Sequence, residues 1–296
     1  MSSISIARAL DSTNSFAGKD WYYNFSELDT AFSENSCRKV ADRLQERYSV
    51  LTKNWSIDTN SEWTCRLFMA AKLIMAATLH VNSASFAKER NLRVVVPYLR
   101  YYSVLSLLRA VCCTLPEHNW NNGKLIQISH AAAIKGVLEY LRKFDKAFAD
   151  SAANQVRELK AERELISYRA PSSGDGHVSE KNKFLALCTL LAEIAQFNSE
   201  LFEVSLLTHG DKTNFDLLPG YLEQISGIEI DGHYFGDCED AYRLGYLARK
   251  HPYPANIKHL MTEGHVEDFF GAWFQKEDEG DCFNPDERQQ IIFDIP

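Results

Sequence analysis

The sequence is poor in residues that break or staple a chain. Fourteen glycines and eight prolines among 296 residues exclude a collagen-like or low-complexity protein. Seven cysteines, Cys37, Cys65, Cys112, Cys113, Cys188, Cys238 and Cys282, form an odd set without a C-x-x-C pair. They argue against a disulfide framework and read as reduced core thiols of a cytosolic, cytoplasmic protein. An uninterrupted run of about 20 apolar residues, the length a membrane span requires, is missing too. The most apolar stretch, CRLFMAAKLIMAATLHV, is interrupted by Lys72 and reaches His80, so it predicts a buried helix and no membrane association. The opening MSSISIARALDSTNSF lacks the apolar core of a signal peptide, and export is not expected.

Familiar catalytic signatures are also missing. The glycine-bearing GYLEQISGIEIDGHYFGD is neither a P-loop nor a G-x-G-x-x-G turn, and no G-x-S-x-G elbow or kinase motif occurs. His233, Cys238, His251, His259, His265 and Cys282 never fall at H-x-x-x-H, H-E-x-x-H or C-x-x-C spacing. Neither a metal nor a cofactor is therefore expected.

What is present suits a folded soluble chain: 45% hydrophobic and 24% charged residues. A chain of this length buries roughly 75% of its unfolded surface, so a core forms without staples. The net charge of −8 is uneven: 18 of the acids and 7 of the bases lie from residue 208 onward. That acidity disfavours phosphate backbones along the tail and suits a solvated face or a basic partner.

Periodicity predicts a mainly α protein. After a leader over 1–32, Ser33 or Asn35 caps a helix on which Val40, Leu44, Tyr48 and Leu51 recur at helical spacing. A second helix, capped at Ser61, is apolar all round and predicted to be central. Pro97 opens a third from its first turn and Pro116 follows its end. GKLIQISHAAAIKGVLEYLRKFDKAF makes a fourth, or two short ones. SAANQVRELKAERELISYRA makes a fifth, closed by Pro171, and KFLALCTLLAEIAQFNSELFEVSLLTHG a sixth, ending at Gly210. The expected organisation is an up-and-down bundle over 33–210 with a small, mixed, acidic appendage over 211–296. In that appendage QQIIFDIP reads as a terminal strand, and VEDFFGAWF places Phe270, Trp273 and Phe274, beside Phe269, on one helical face.

Three segments in order, YLRYYSVLSLLRAV, ISHAAAIKGVLEYL and LKAERELISYRAP, resemble the HEPN superfamily of helical domains, in particular the small bacterial members that accompany minimal nucleotidyltransferases. The likeness lies in Tyr101-Tyr102 with Arg109-Ala110, in Ser129-His130, and in Arg163, Ser167 and Tyr168. It covers about 98–205. It implies a bundle of four to five helices that commonly dimerises, from bacterial defence or toxin–antitoxin systems. In nuclease members an Arg and a His with four to six residues between them, supplied by each of two protomers, form a site that cleaves RNA without metal.

That pair is missing here. No His lies five to seven positions after any Arg; Arg163 finds Tyr168, Arg169 and Ala170 there, and His177 falls one residue too far from Arg169 across Pro171. The imidazole matters because RNA cleavage of this kind needs a group titrating near neutrality, whereas tyrosine titrates near 10. The candidate catalytic residues are Arg163, Tyr168 and His130, with Tyr102 and Arg109 as ligand-binding residues. Each also has a plain structural role: Tyr102 and Arg109, seven apart, share a helix face and can pair within the bundle, His130 can be a satisfied histidine at a helix start, and Arg163 can be held by Glu162 or Glu164.

Three functions follow as expectations. The first is a HEPN-like protein that binds a protein partner from its own locus, a nucleotide or RNA without cutting, as a homodimer or with that partner. The second is a metal-independent endoribonuclease with an atypical site. The third is a subunit of a larger assembly.

Overall fold

The computed structural model describes residues 23–176, 183–261, 263–274 and 282–295, and helix dominates them. In chain order the elements are α1 (Ser26–Ala31), α2 (Glu34–Thr52), α3 (Ile57–Glu89), α4 (Val96–Thr114), α5 (His130–Leu141), α6 (Lys146–Arg169), α7 (Phe184–His209) and α8 (Pro219–Ser226). An antiparallel hairpin, β1 (Gly227–Ile230) and β2 (His233–Gly236), precedes α9 (Cys238–Lys250), α10 (Ile257–Leu260) and α11 (Glu263–Gly271).

Local chemistry sets most boundaries. Ser33 caps α2 by accepting the Ser36 amide, and Pro97 sits in the first turn of α4 after a short 3-10 turn. The α3 cap is Ser56, not Ser61. Ser61 lies one turn inside, its hydroxyl bonded to the Ile57 carbonyl at 2.8 Å, because Ile57 and Asp58 already supply a helical first turn. Asp145 caps α6, so the KAF expected in the preceding segment is its opening turn. That helix stops at Ala170, whose φ of 39° ends the repeat immediately before Pro171.

The middle of the molecule is organised by α4, which packs against α3, α5, α6 and α7. Its apolar residues are therefore buried on every side, from Tyr101 and Val104 to Leu108 and Val111. By length and composition α3 and the Arg93–Thr114 stretch are each apolar enough to cross a membrane. Most of each apolar window is buried against other helices.

The regions flanking the bundle join its core. Within the leader, Tyr23, Phe25, Leu28 and Phe32 are buried, with Phe32 stacked on Phe144 at 4.8 Å; residues 1–22 lie outside the described residues. Beyond 210, Ile257, Leu260, Met261, Phe270, Ile292 and Phe293 belong to the same hydrophobic cluster as the bundle. The change of texture at 210 is thus not a change of core.

QQIIFDIP forms no strand among its described residues; it crosses the surface in turns that insert Ile292, Phe293 and Ile295. The strands lie instead at 227–236, joined through Asp231 and Gly232 with φ of 50° and 79°, the pair of positive angles a two-residue hairpin turn requires. Because α11 ends at Gly271, Trp273 and Phe274 leave the face of buried Phe270 and are 59% and 45% exposed. Five cysteines are buried, but Cys238 and Cys282 are exposed, so these two are not core thiols.

Two buried acid–base groups tie stability to pH in opposite senses. Burial lowers the His265 imidazole to about 4; it stacks on Phe68 and bonds the Leu260 carbonyl. A lowered histidine contributes stability that is complete above its unfolded value near 6.5 and is lost as pH falls toward 4. Burial raises Glu193 to about 7, against the lowering influence of its bonds from the Leu28 and Glu27 amides. Its contribution is complete below about 4.5 and is lost as pH rises through 7. Between pH 7 and 4.5 the wild type should therefore lose more stability than His265→Phe, by on the order of 2 kcal/mol. Urea titrations at both pH values measure it, and equal losses in the two proteins would refute the assignment.

Candidate functional site

Four of the five residues singled out in the sequence come together where α5 and α6 meet α4. Tyr102 and Arg109 lie two turns apart on α4, which puts them on one face. Ser129 caps α5 by accepting the Ala132 amide, and that cap fixes His130 as the first helical residue. Arg163 reaches across from α6, beside the buried Val156, Leu159 and Glu162 that seat this helix on α4.

Tyr101, 2% exposed, is the centre. Its hydroxyl lies 3.0 Å from Nδ1 of His130. The Arg163 guanidinium covers its ring at 5.1 Å from the centroid, a cation–π contact. Tyr102 packs edge-on against it at 5.3 Å and meets the His130 ring at 6.0 Å. Arg109 donates from Nη2 to the Ile128 carbonyl at 3.0 Å, just before the α5 cap. The sequence pointed to Tyr102 as the ligand-binding tyrosine; the role of Tyr101 as hub has no local signal beyond its own adjacency to Tyr102.

Electrostatics follow from this packing. Burial, then Arg109, Arg163 and Lys160, lower the His130 pKa, so the imidazole is neutral at pH 7. Burial raises Tyr101 despite Arg163 and Arg109, which keeps its hydroxyl protonated. With the His130 proton on Nε2, Tyr101 donates to Nδ1 and the free Nε2–H is a hydrogen-bond donor; the other tautomer reverses both roles.

The two guanidiniums are poorly compensated. Among the described residues Arg109 meets no carboxylate, and Arg163 meets Glu164 alone, at 3.3 Å, a carboxylate that also lies 3.6 Å from Lys160. The Nε of each arginine is buried without a hydrogen-bond partner among the described residues. Buried donors of this kind are uncommon and costly. Two cations, a neutral imidazole and two aromatic rings form a cluster whose chemistry suits an anion beside an aromatic platform.

Tyr168 is not part of it. Helix α6 continues through Arg169, so the five-residue step from Arg163 turns Tyr168 away by about 140°, and it is 74% exposed. Neighbouring Ser167 bonds the Tyr98 hydroxyl at 3.0 Å and so helps fasten the end of α6 to α4. His177 lies outside the described residues. No family model, no curated protein and no solved structure matches the chain.

Proposed function

We propose that the chain is a HEPN-like helical protein that binds RNA or a nucleotide through phosphate, without cutting it. The observation that carries this reading is the meeting of Arg109 and Arg163, each with an unpartnered Nε, around Tyr101 and His130. Guanidiniums suit phosphate because their planar donors match its oxygens, and the half-buried Tyr102 offers a face on which a base can stack. Absence of the Arg-to-His spacing from the sequence argues for binding over cleavage. The cytosolic bacterial defence or toxin–antitoxin setting rests on the order of the three segments alone.

Partnering belongs to the same proposal. Arg93 pairs with Asp175 at 2.7 Å and Tyr98 with Ser167, so exposed Leu92, Val94 and Tyr168 lie at one end of the molecule, near the cluster. This apolar end suits a second copy or a protein from the same locus.

Fluorescence anisotropy with a labelled single-stranded RNA and with labelled ATP tests the reading. Arg163→Ala and Arg109→Ala should each weaken binding about tenfold and reduce the salt dependence by roughly one phosphate contact. Unchanged affinity in both variants would remove the proposal.

One observation favours a second reading, the endoribonuclease: the neutral imidazole of His130 bonded to Tyr101 beneath Arg163 is a proton acceptor beside a cation. It requires RNA cleavage in chelator that is lost in both His130→Ala and Arg163→Ala.

A further inference from the structure

A second candidate site differs from the cluster in composition and shares no residue with it. Between α3, α9 and α11 is a cavity of about 930 Å³, at the upper end of the size range of small-molecule pockets. It uses none of the residues around Tyr101.

The wall chemistry selects a charge type. Five carboxylates line the cavity against two cations, Lys72 and Arg243. Each cation is already engaged, Lys72 by Asp240 and Arg243 by Asp268. Asp237, Glu239 and Glu267 are left in excess. The two lining histidines add no positive charge at pH 7, because burial lowers both His80 and His265. Among the described lining residues an anionic ligand would meet no free cation and an excess of negative field.

The rest of the wall selects the ligand's body. Leu79, Phe269, Trp273 and Phe283 line the cavity, and most of its lining is apolar. Trp273 is 59% exposed although its ring adjoins this space. Aromatic faces beside carboxylates attract organic cations through the ring quadrupole. His80, at the same wall, has Nδ1 buried without a partner among the described residues, a polar atom that the protein's own packing leaves unused.

From these observations we propose that this cavity binds an organic monocation with an aromatic or aliphatic body, its charge at Glu239 and Glu267 and its apolar part against Trp273 and Phe283. This site does not depend on the RNA- or nucleotide-binding reading, since no residue is shared.

Calorimetry on the full chain with phenethylamine tests it, with phenethyl alcohol as the neutral analogue and 3-phenylpropionate as the anion. Saturable binding of the amine is expected, at least about tenfold tighter than the alcohol, with no measurable binding of the anion. Glu239 and Glu267 are exposed, so Glu239→Gln combined with Glu267→Gln should fold normally, as circular dichroism would verify, and should erase the preference for amine over alcohol. Trp273→Ala should weaken the amine about tenfold. An anion that binds as well as the amine, no saturable heat with the amine, or amine affinity indifferent to all three substitutions would each overturn the inference.

Discussion

Replacing Arg66 by alanine should lower the free energy of unfolding by about 4 kcal/mol, the largest loss expected from any polar residue of the bundle. Arg66 sits inside α3, 2% exposed, and reaches the C-terminal end of α4. The last carbonyls of a helix have no partner within it. Arg66 supplies partners: Nε donates to the Cys113 carbonyl at 2.9 Å and Nη2 to the Leu115 carbonyl at 2.5 Å. Tyr48 bonds the carbonyl between them, of Thr114, at 2.5 Å.

A cation there also meets the negative end of the α4 dipole. The guanidinium covers the Trp63 ring at 4.2 Å, and Trp63 in turn stacks on Phe202 at 4.1 Å. Alanine leaves the buried Cys113 carbonyl unpaired and the Leu115 carbonyl with the His118 amide alone, at 3.3 Å, at about 1–3 kcal/mol for each loss, and forfeits the ring contact. Domains of this kind are stable by only about 5–15 kcal/mol, so the variant is near its folding threshold. Arg66→Lys should recover no more than about half of the loss, since one ammonium does not span both carbonyls. Urea unfolding followed by circular dichroism decides it. A loss under about 1 kcal/mol for the alanine variant would mean that water replaces the side chain and that the carbonyls are not dry.

Glu203→Ala should release the segment that docks α10, at a cost of about 3 kcal/mol. Glu203 is 2% exposed on α7. It accepts the Asn256 amide at 3.2 Å and the Asn256 side-chain amide at 2.9 Å, with Nδ1 of His259 at 3.3 Å. The neighbouring bonds run in the same direction: Ser199 accepts the Ile257 amide at 3.1 Å and Gln196 the Lys258 amide at 2.9 Å. A row of polar side chains on a buried helix thus substitutes for the helix N-terminal partners that α10 lacks in water.

Removing the carboxylate strands donors at Asn256 that no solvent reaches. Hydrogen exchange at Asn256, Ile257 and Lys258 should accelerate roughly 100-fold, the equivalent of that loss, while amides in the middle of α4 accelerate less. Uniform acceleration across the chain would show that the tail and bundle open only as one unit. No acceleration would refute the latch.

Ser33, Pro97, Pro171 and Gly210 marked helix ends because capping and ring geometry act over a few residues. Ser61 misled for the same reason: it resembles the true cap, Ser56, five residues earlier, and only the depth of burial of the intervening turn tells them apart. The Asp231-Gly232 turn was a local hairpin signal that the search for phosphate-binding glycines passed over.

QQIIFDIP looked like a strand because its apolar residues are clustered. It packs without a neighbouring strand, since Ile292 and Phe293 are buried by helices distant in the chain. In the candidate site, Tyr102, Arg109, His130 and Arg163 were identified from their order, and they converge. Tyr168 was chosen from its spacing after Arg163, and on a helix that runs unbroken through Arg169 that spacing turns it to another face.

By itself the sequence determined a mainly helical chain, its principal helix ends and the cationic and aromatic side chains available to a site, because periodicity, caps and breakers are short-range. Tertiary structure decided that Tyr101 lies at the centre of those side chains, that the acidic tail enters the common core, and that a net-negative cavity opens between α3, α9 and α11. Those outcomes depend on which surfaces bury one another across separations of dozens to hundreds of residues, and no local pattern encodes that choice.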